Sequence, residues 1–238
     1  MPLTDIEPFF PSMNLKKFMI YVFTHNWAEL VAFIAFVLLR TPLPLTIIQI
    51  LAIDLILEIP TSLSLTLDPP APDTMGHHPR SRTSRIFSIS ALARTLAIGA
   101  VIGVFALILC LNVWSQHGWT LGMGSMSDHS GYLLGTTIMF AGIIAGQLGT
   151  LFIVRLNPSL LRWKDRVHNR WLAGAVLLEI GLLLTMVYVP FLQMALGTAA
   201  LPLESWAMLY AVVPIIVLLD LFSRLIIKRL GHTSRKQM

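Results

Sequence analysis

Long apolar runs alternate with short polar breaks along this chain, and no run shows the residue-by-residue alternation of a barrel strand. A helix needs about 20 mostly apolar residues to cross a hydrocarbon core of about 30 Å. Six runs reach that length, over roughly 17–39, 43–67, 89–113, 131–155, 170–191 and 204–227. Helices are the predicted form, because a backbone in lipid must satisfy its own hydrogen bonds within the segment. The pattern thus predicts an all-α polytopic membrane protein with six transmembrane helices. Residues 1–13, with three prolines and no helical periodicity, read as a loosely ordered lead-in. Residues 14–230 form the six-span unit, and residues 231–238 a basic cytoplasmic tail.

Composition agrees. The chain is 55% hydrophobic and 12% charged, about half the charge of a soluble domain, with a mean hydropathy of +0.75. All of the 17 basic residues except Arg40 flank the spans on one side, which the positive-inside rule assigns to the cytoplasm. A multi-pass protein of the cell membrane with both termini cytoplasmic follows. The formal charge of +5 is therefore a topology signal, and no nucleic-acid partner is expected, since no soluble domain presents a basic face. Cys110, the single cysteine, excludes an internal disulfide and a cysteine-based metal site. The first span is too long and too polar for a cleaved signal peptide and lacks a small-residue cleavage site. The first three spans do not repeat in the last three, which argues against an inverted-repeat transporter.

Polar residues inside the first two spans carry the candidate chemistry. Asn26 and Glu29 are three apart, and Asp54 and Glu58 four apart, so each pair is predicted on one helix face. With only "RTPLP" between them, the two helices must be antiparallel neighbours. Glu29, Asp54 and Glu58 then lie about 15–21 Å from the turn, near mid-membrane. An ionised carboxylate there costs about 2.5–3.5 kcal/mol. A bound hard cation (Na⁺, K⁺, Ca²⁺ or a proton) offsets that cost, and Pro60 is expected to free a carbonyl near Ile56 as a further ligand. The bland alternative is a hydrogen-bond network that only fixes packing.

These residues also carry a resemblance. "NLKKFMIYVFTHNWAELVAFI" and "PLPLTIIQILAIDLILEIPTSLSLTLDPPAPDTMGHHPR" resemble the fifth and sixth transmembrane helices of P-type cation-transporting ATPases. The shared features are the Asn-x-x-Glu pair, the acidic pair, the Pro-Pro after a fixed gap and the Met-x-x-x-Pro-Arg linker. The likeness continues through 134–155 and 169–230, so the six spans are similar to the last six of the pump's ten. It implies that Asn26, Glu29, Asp54 and Glu58 are cation ligands and that Gln147 is an outer one. It also implies that Glu179 belongs to an additional ion or proton site. Read without the resemblance, Gln147 is an ordinary interhelical hydrogen-bonder, and Glu179 pairs with a hydroxyl such as that of Thr185 or remains protonated. Three positions depart from the family: Leu57 stands where calcium pumps have threonine, Glu58 replaces the usual aspartate, and Pro60 comes one residue early.

The family's Asp-Lys-Thr-Gly phosphate acceptor, Thr-Gly-Glu loop, hinge motif and fourth helix are absent from these 238 residues. No ATPase activity or cofactor is therefore expected of the chain alone. ATP and Mg²⁺ would act only in a partner, a separately encoded catalytic half of a P-type ATPase; the lipid bilayer is the other partner. Alternative readings are an inactive truncated remnant, a passive cation channel, or a regulatory subunit of a pump. Trp114, Trp119, Trp163, Trp171 and Trp206 are expected at the membrane interface, Pro190 as a helix stop, and Pro214 as a kink. Asp220 is expected to pair with Arg224, and "HHPRSRTSR" at 77–85 to be a topology-setting cytoplasmic loop.

Overall fold

Among the described residues, 9–67, 89–155 and 170–234 of a computed structural model, every regular element is helical. The expected spans appear as α1 (Phe9–Leu39), α2 (Ile47–Ala52) continued by a π-helical turn (Ile53–Leu57) and α3 (Glu58–Thr66), α4 (Ile89–Gln116), α5 (His129–Arg155), α6 (Arg170–Tyr188) with α7 (Pro190–Leu196), and α8 (Leu203–Tyr210) with α9 (Val212–Ser234). Six of the resulting helical stretches are long and apolar enough to cross a membrane. The protein is an all-α polytopic membrane protein.

Several details differ from the sequence expectation. Residues 9–13 of the lead-in are helical, with Pro11 in the first turn of α1, where its missing amide hydrogen has no partner to lose. The helix α9 runs to Ser234, so 231–234 continue it rather than starting a tail. Residues 1–8, 68–88, 156–169 and 235–238, which include the Pro-Pro linker, the 77–85 loop and Trp163, lie outside the described residues. Pro60 does not break its helix. Instead, the Glu58 amide donates to the Ile53 carbonyl, five residues back. The widened turn gives the proline ring room against the preceding turn. Pro190 opens the short helix α7 as well as ending α6, and the last span bends at Ala211, one turn before Pro214.

The helix α5 lies at the centre. Each residue from Gly135 to Leu151 is buried, and α5 packs against α1, α4, α8 and α9. On α4, a Cβ at Gly99 would lie 2.2 Å from the Thr24 carbonyl oxygen, and one at Gly103 2.5 Å from that of Ala28. Only glycine permits so close a backbone approach, a small-xxx-small seam of the kind that holds membrane helices together. This seam fixes the rotation of α1 about its own axis.

Short devices close the ends. Arg40, exposed and in the left-handed region at φ 49°, ends α1. Thr46 caps α2 in a reciprocal box with Gln49. The Tyr132 hydroxyl donates to the Leu43 carbonyl at 3.1 Å, tying the α1–α2 turn to α5. Asp128 caps α5 by accepting from the Ser130 amide and hydroxyl. Those bonds, the hydroxyl's above all, hold its carboxyl below the usual range.

One expectation about side chains is corrected. Trp171 is exposed, but Trp114, Trp119 and Trp206 turn inward and are buried. Trp114 stacks on Tyr132 at 6.0 Å, and each indole N–H has a bundle acceptor: the Tyr132 carbonyl, the Met123 carbonyl and the Tyr188 hydroxyl. An indole near a span end gains more by this packing than by the headgroup layer when a groove between helices is there to receive it. Asp220, 1% exposed, is bridged at 3.0 Å by Arg94 of α4. Arg94 is thus a partner from across a helix pair; the side chain of Arg224, the partner expected from the sequence, lies outside the described ones.

Candidate functional site

Tyr21, His25 and Glu29 follow one another at four-residue spacing, so the α-helical repeat aligns them in one stripe along α1. All three are buried, Glu29 to 6% exposure. The stripe faces α3, which packs against α1. Asn26 is one residue from His25, about 100° round the helix, and is exposed. The Asn26–Glu29 pair expected on one face is therefore split, with Glu29 enclosed and Asn26 on the open side.

The facing span presents its acids differently. Asp54 sits in the π-helical turn and is half-buried, while Glu58 opens α3 and is 5% exposed. Glu29 is within electrostatic reach of both Asp54 and Glu58, and Asp54 within reach of Glu58 and His25. The Glu29 and Glu58 side chains are both buried inside the bundle, on helices that pack together. His25 Nε2 stands 2.9 Å from Glu58 Oε1. Glu29 Oε1 and Asp54 Oδ1 are buried without a hydrogen-bond donor.

A second group of polar atoms adjoins this one. Thr61, one turn beyond Glu58, donates its hydroxyl to Glu179 of α6, which is fully buried. Thr185 instead gives its hydroxyl to the Gly181 carbonyl. The Tyr21 ring meets His25 edge-on at 4.7 Å, and its hydroxyl is within reach of Glu58, Thr61 and Glu179. Polar side chains thus run without interruption from Asp54 to Glu179 across α1, α3 and α6.

Gln147 is fully buried on α5, with neither its amide oxygen nor its nitrogen hydrogen-bonded. The four residues expected to hold an ion, Asn26, Glu29, Asp54 and Glu58, are not drawn onto one point. Among the described residues no three His, Cys, Asp or Glu groups converge closely enough to hold a metal ion. Asn26 is exposed, and His25 Nε2 stands against Glu58 Oε1.

Sequence reasoning assigned no role at this site to Tyr21 or Thr61. The signal was in the spacing, since Tyr21 and His25 precede Glu29 by two turns and one, and Thr61 follows Glu58 by three residues. Chemically, the arrangement offers hard oxygen donors, a hydrogen-bonded carboxylate and an unsatisfied amide, all facing inward from a membrane bundle. Such a donor set suits alkali or alkaline-earth cations or protons.

Comparison with known proteins agrees with this chemistry. Residues 42–226 match the family model described as cation transporting ATPase, C-terminus. A calcium-transporting ATPase of Bacillus subtilis (strain 168) is 29% identical over 193 residues, covering 81% of this chain and 20% of the relative. Potassium-transporting ATPase alpha chain 2 of Oryctolagus cuniculus is 28% identical over 200 residues, with 72% and 18% covered. Sodium/potassium-transporting ATPase subunit alpha-4 of Rattus norvegicus is 27% identical over 244 residues, with 91% and 23% covered. The chain spans about one fifth of the length of these relatives.

Proposed function

This chain belongs to the family of cation-transporting ATPase C-terminal regions, and from that membership we propose that it supplies the intramembrane ligands of a transported cation. Glu29, Asp54 and Glu58 are the principal ligands and Gln147 an outer one. The observation that supports the reading is the burial of Glu29 and Glu58, at 6% and 5% exposure and within electrostatic reach of each other, on helices that pack together. Acids in hydrocarbon without a counter-charge are costly. A Ca²⁺, Na⁺, K⁺ or H⁺ seated among them supplies that charge, and Glu29 Oε1, Asp54 Oδ1 and the Gln147 amide are the acceptors left open for it.

Asn26 extends the proposal to a partner. It lies thirteen residues before the end of α1 at Leu39, about 20 Å along the axis, exposed at a depth where an unpaired amide is unfavourable. A further transmembrane segment supplied by a separately encoded catalytic half, carrying the ATP and Mg²⁺ chemistry, would cover Asn26 and complete the site beside Asp54. Both termini are then cytoplasmic, on the side marked by all 17 basic residues but Arg40.

Equilibrium binding of Ca²⁺, Na⁺ and K⁺ to the purified chain in phospholipid nanodiscs tests the ligand role. Saturable binding of at least one ion is expected, and its loss in Glu29→Gln and Glu58→Gln. Binding that survives both substitutions overturns the reading. ATP-independent flux of the same ions through liposomes would identify a passive channel instead.

A further inference from the structure

Away from the acids of α1 and α3, the end of α4 and the starts of α5 and α8 enclose a cavity of about 260 Å³. Its floor is apolar, with Ile138, Leu201 and Leu209 buried. Its sides are polar, with Asn112 and Gln116 from α4 and Glu204 and Ser205 from α8. Gln116 Nε2 donates to Asn112 Oδ1 at 3.0 Å, which leaves the Asn112 amide hydrogens to serve another acceptor. His117, also on the lining, turns its Nδ1 to the Val113 carbonyl at 2.9 Å. Glu204 is exposed, and no Lys or Arg lines the cavity; Arg94 and Arg155 stand at the other ends of α4 and α5.

Depth and size narrow what fits. The span ending at Gln116 has 26 residues, about 39 Å of helix against a hydrocarbon core of about 30 Å, so the cavity mouth reaches the headgroup layer. Its volume falls below the roughly 300–1,000 Å³ of pockets that enclose a whole drug-sized ligand, and suits a headgroup whose tails remain outside. Met208 on the wall is exposed, which gives acyl chains an apolar way out. A lone carboxylate asks for a cation that can donate hydrogen bonds, and a primary ammonium donates up to three where a quaternary one donates none. We infer that the cavity is a headgroup site for a phospholipid carrying a primary ammonium: Glu204 accepts from the ammonium, and Asn112 and Ser205 donate to the phosphate.

The test offers the full chain in detergent equal amounts of phosphatidylethanolamine, phosphatidylcholine and phosphatidylglycerol with the same acyl chains, and counts the lipid retained by native mass spectrometry. Phosphatidylethanolamine should be retained over each of the others by about two- to fivefold, the scale of an ion pair that stays in contact with water. Glu204→Gln should erase that preference and Glu204→Asp should keep part of it; residue 204 is exposed, so both variants keep the fold. Asn112→Leu, also at an exposed position, should lower retention of all three lipids alike, since each carries a phosphate. Phosphoethanolamine without acyl chains should not compete. Equal retention of the three lipids by the wild type, or a preference that survives Glu204→Gln, overturns the inference. Displacement of the lipid by an equal concentration of phosphoethanolamine overturns it as well, by making the ligand a soluble amine.

Discussion

Two parts of the bundle treat buried polar groups in opposite ways. Where α4, α5 and α8 meet, the Trp114, Trp119 and Trp206 indoles each donate to an acceptor, and the Tyr188 hydroxyl continues the last link to the Leu201 carbonyl. Thr198 bonds to the Met186 carbonyl, and the Ala199 amide to Thr137. Where α1, α3 and α6 meet, the Tyr21 hydroxyl, Glu29 Oε1 and Glu179 Oε1 are buried and unmatched, as is Asp54 Oδ1 in the adjoining π-helical turn. An unmatched buried group costs about 1–3 kcal/mol. The first region is therefore organised for stability, and the second keeps a polar demand that a ligand can meet. Gln147 is the exception that joins them, an unsatisfied amide on the otherwise well-paired α5.

Substitutions in the two regions should separate accordingly. The largest effect is expected at the seam that serves both. Gly99→Leu drives a side chain into the Thr24 carbonyl and should cost about 3 kcal/mol, seen as lower thermal stability in nanodiscs together with lost cation binding. Next comes Arg94→Ala, which removes the ion-pair contact to Asp220 at 1% exposure. Arg94 keeps 24% exposure, so the cost should be about 2 kcal/mol, below that of breaking a fully buried pair, with cation affinity unchanged in the folded fraction.

Glu29→Gln should do the reverse. Neutralising an enclosed acid that lacks a donor should raise stability by about 1 kcal/mol while cation binding is lost. If it destabilises as Arg94→Ala does, the contrast between the regions fails. The smallest effect belongs to Asp128, outside the membrane. Its native carboxyl titrates below its unfolded value, so its contribution is present above about pH 4 and is lost as the pH falls through the native value. Thermal melts of Asp128→Asn should match the wild type in acid and fall slightly below it near neutrality.

Much of this was legible in the chain. A run of about 20 apolar residues names its own element whatever its neighbours do, and the acids at 29, 54 and 58 stood out because the bilayer tolerates so few. The bend near Pro214 was readable for the same local reason. Asn26 was misjudged, because three-residue spacing leaves about 60° between side chains, enough for one to be buried and the other open. The Arg94 partner of Asp220 was not legible, because the sequence displays i,i+4 neighbours and hides those on another helix.

By itself, then, the sequence determined six spans long and apolar enough to cross a membrane and the presence of acids within the first two. Tertiary structure decided which way each helix turned: Asn26 outward, His25 onto Glu58, Thr61 onto Glu179, Arg94 onto Asp220. The physical reason is that crossing lipid is a property of one segment's hydropathy and backbone bonding. Rotation about a helix axis is instead set by contact with a neighbour, here the Gly99–Gly103 seam against α1.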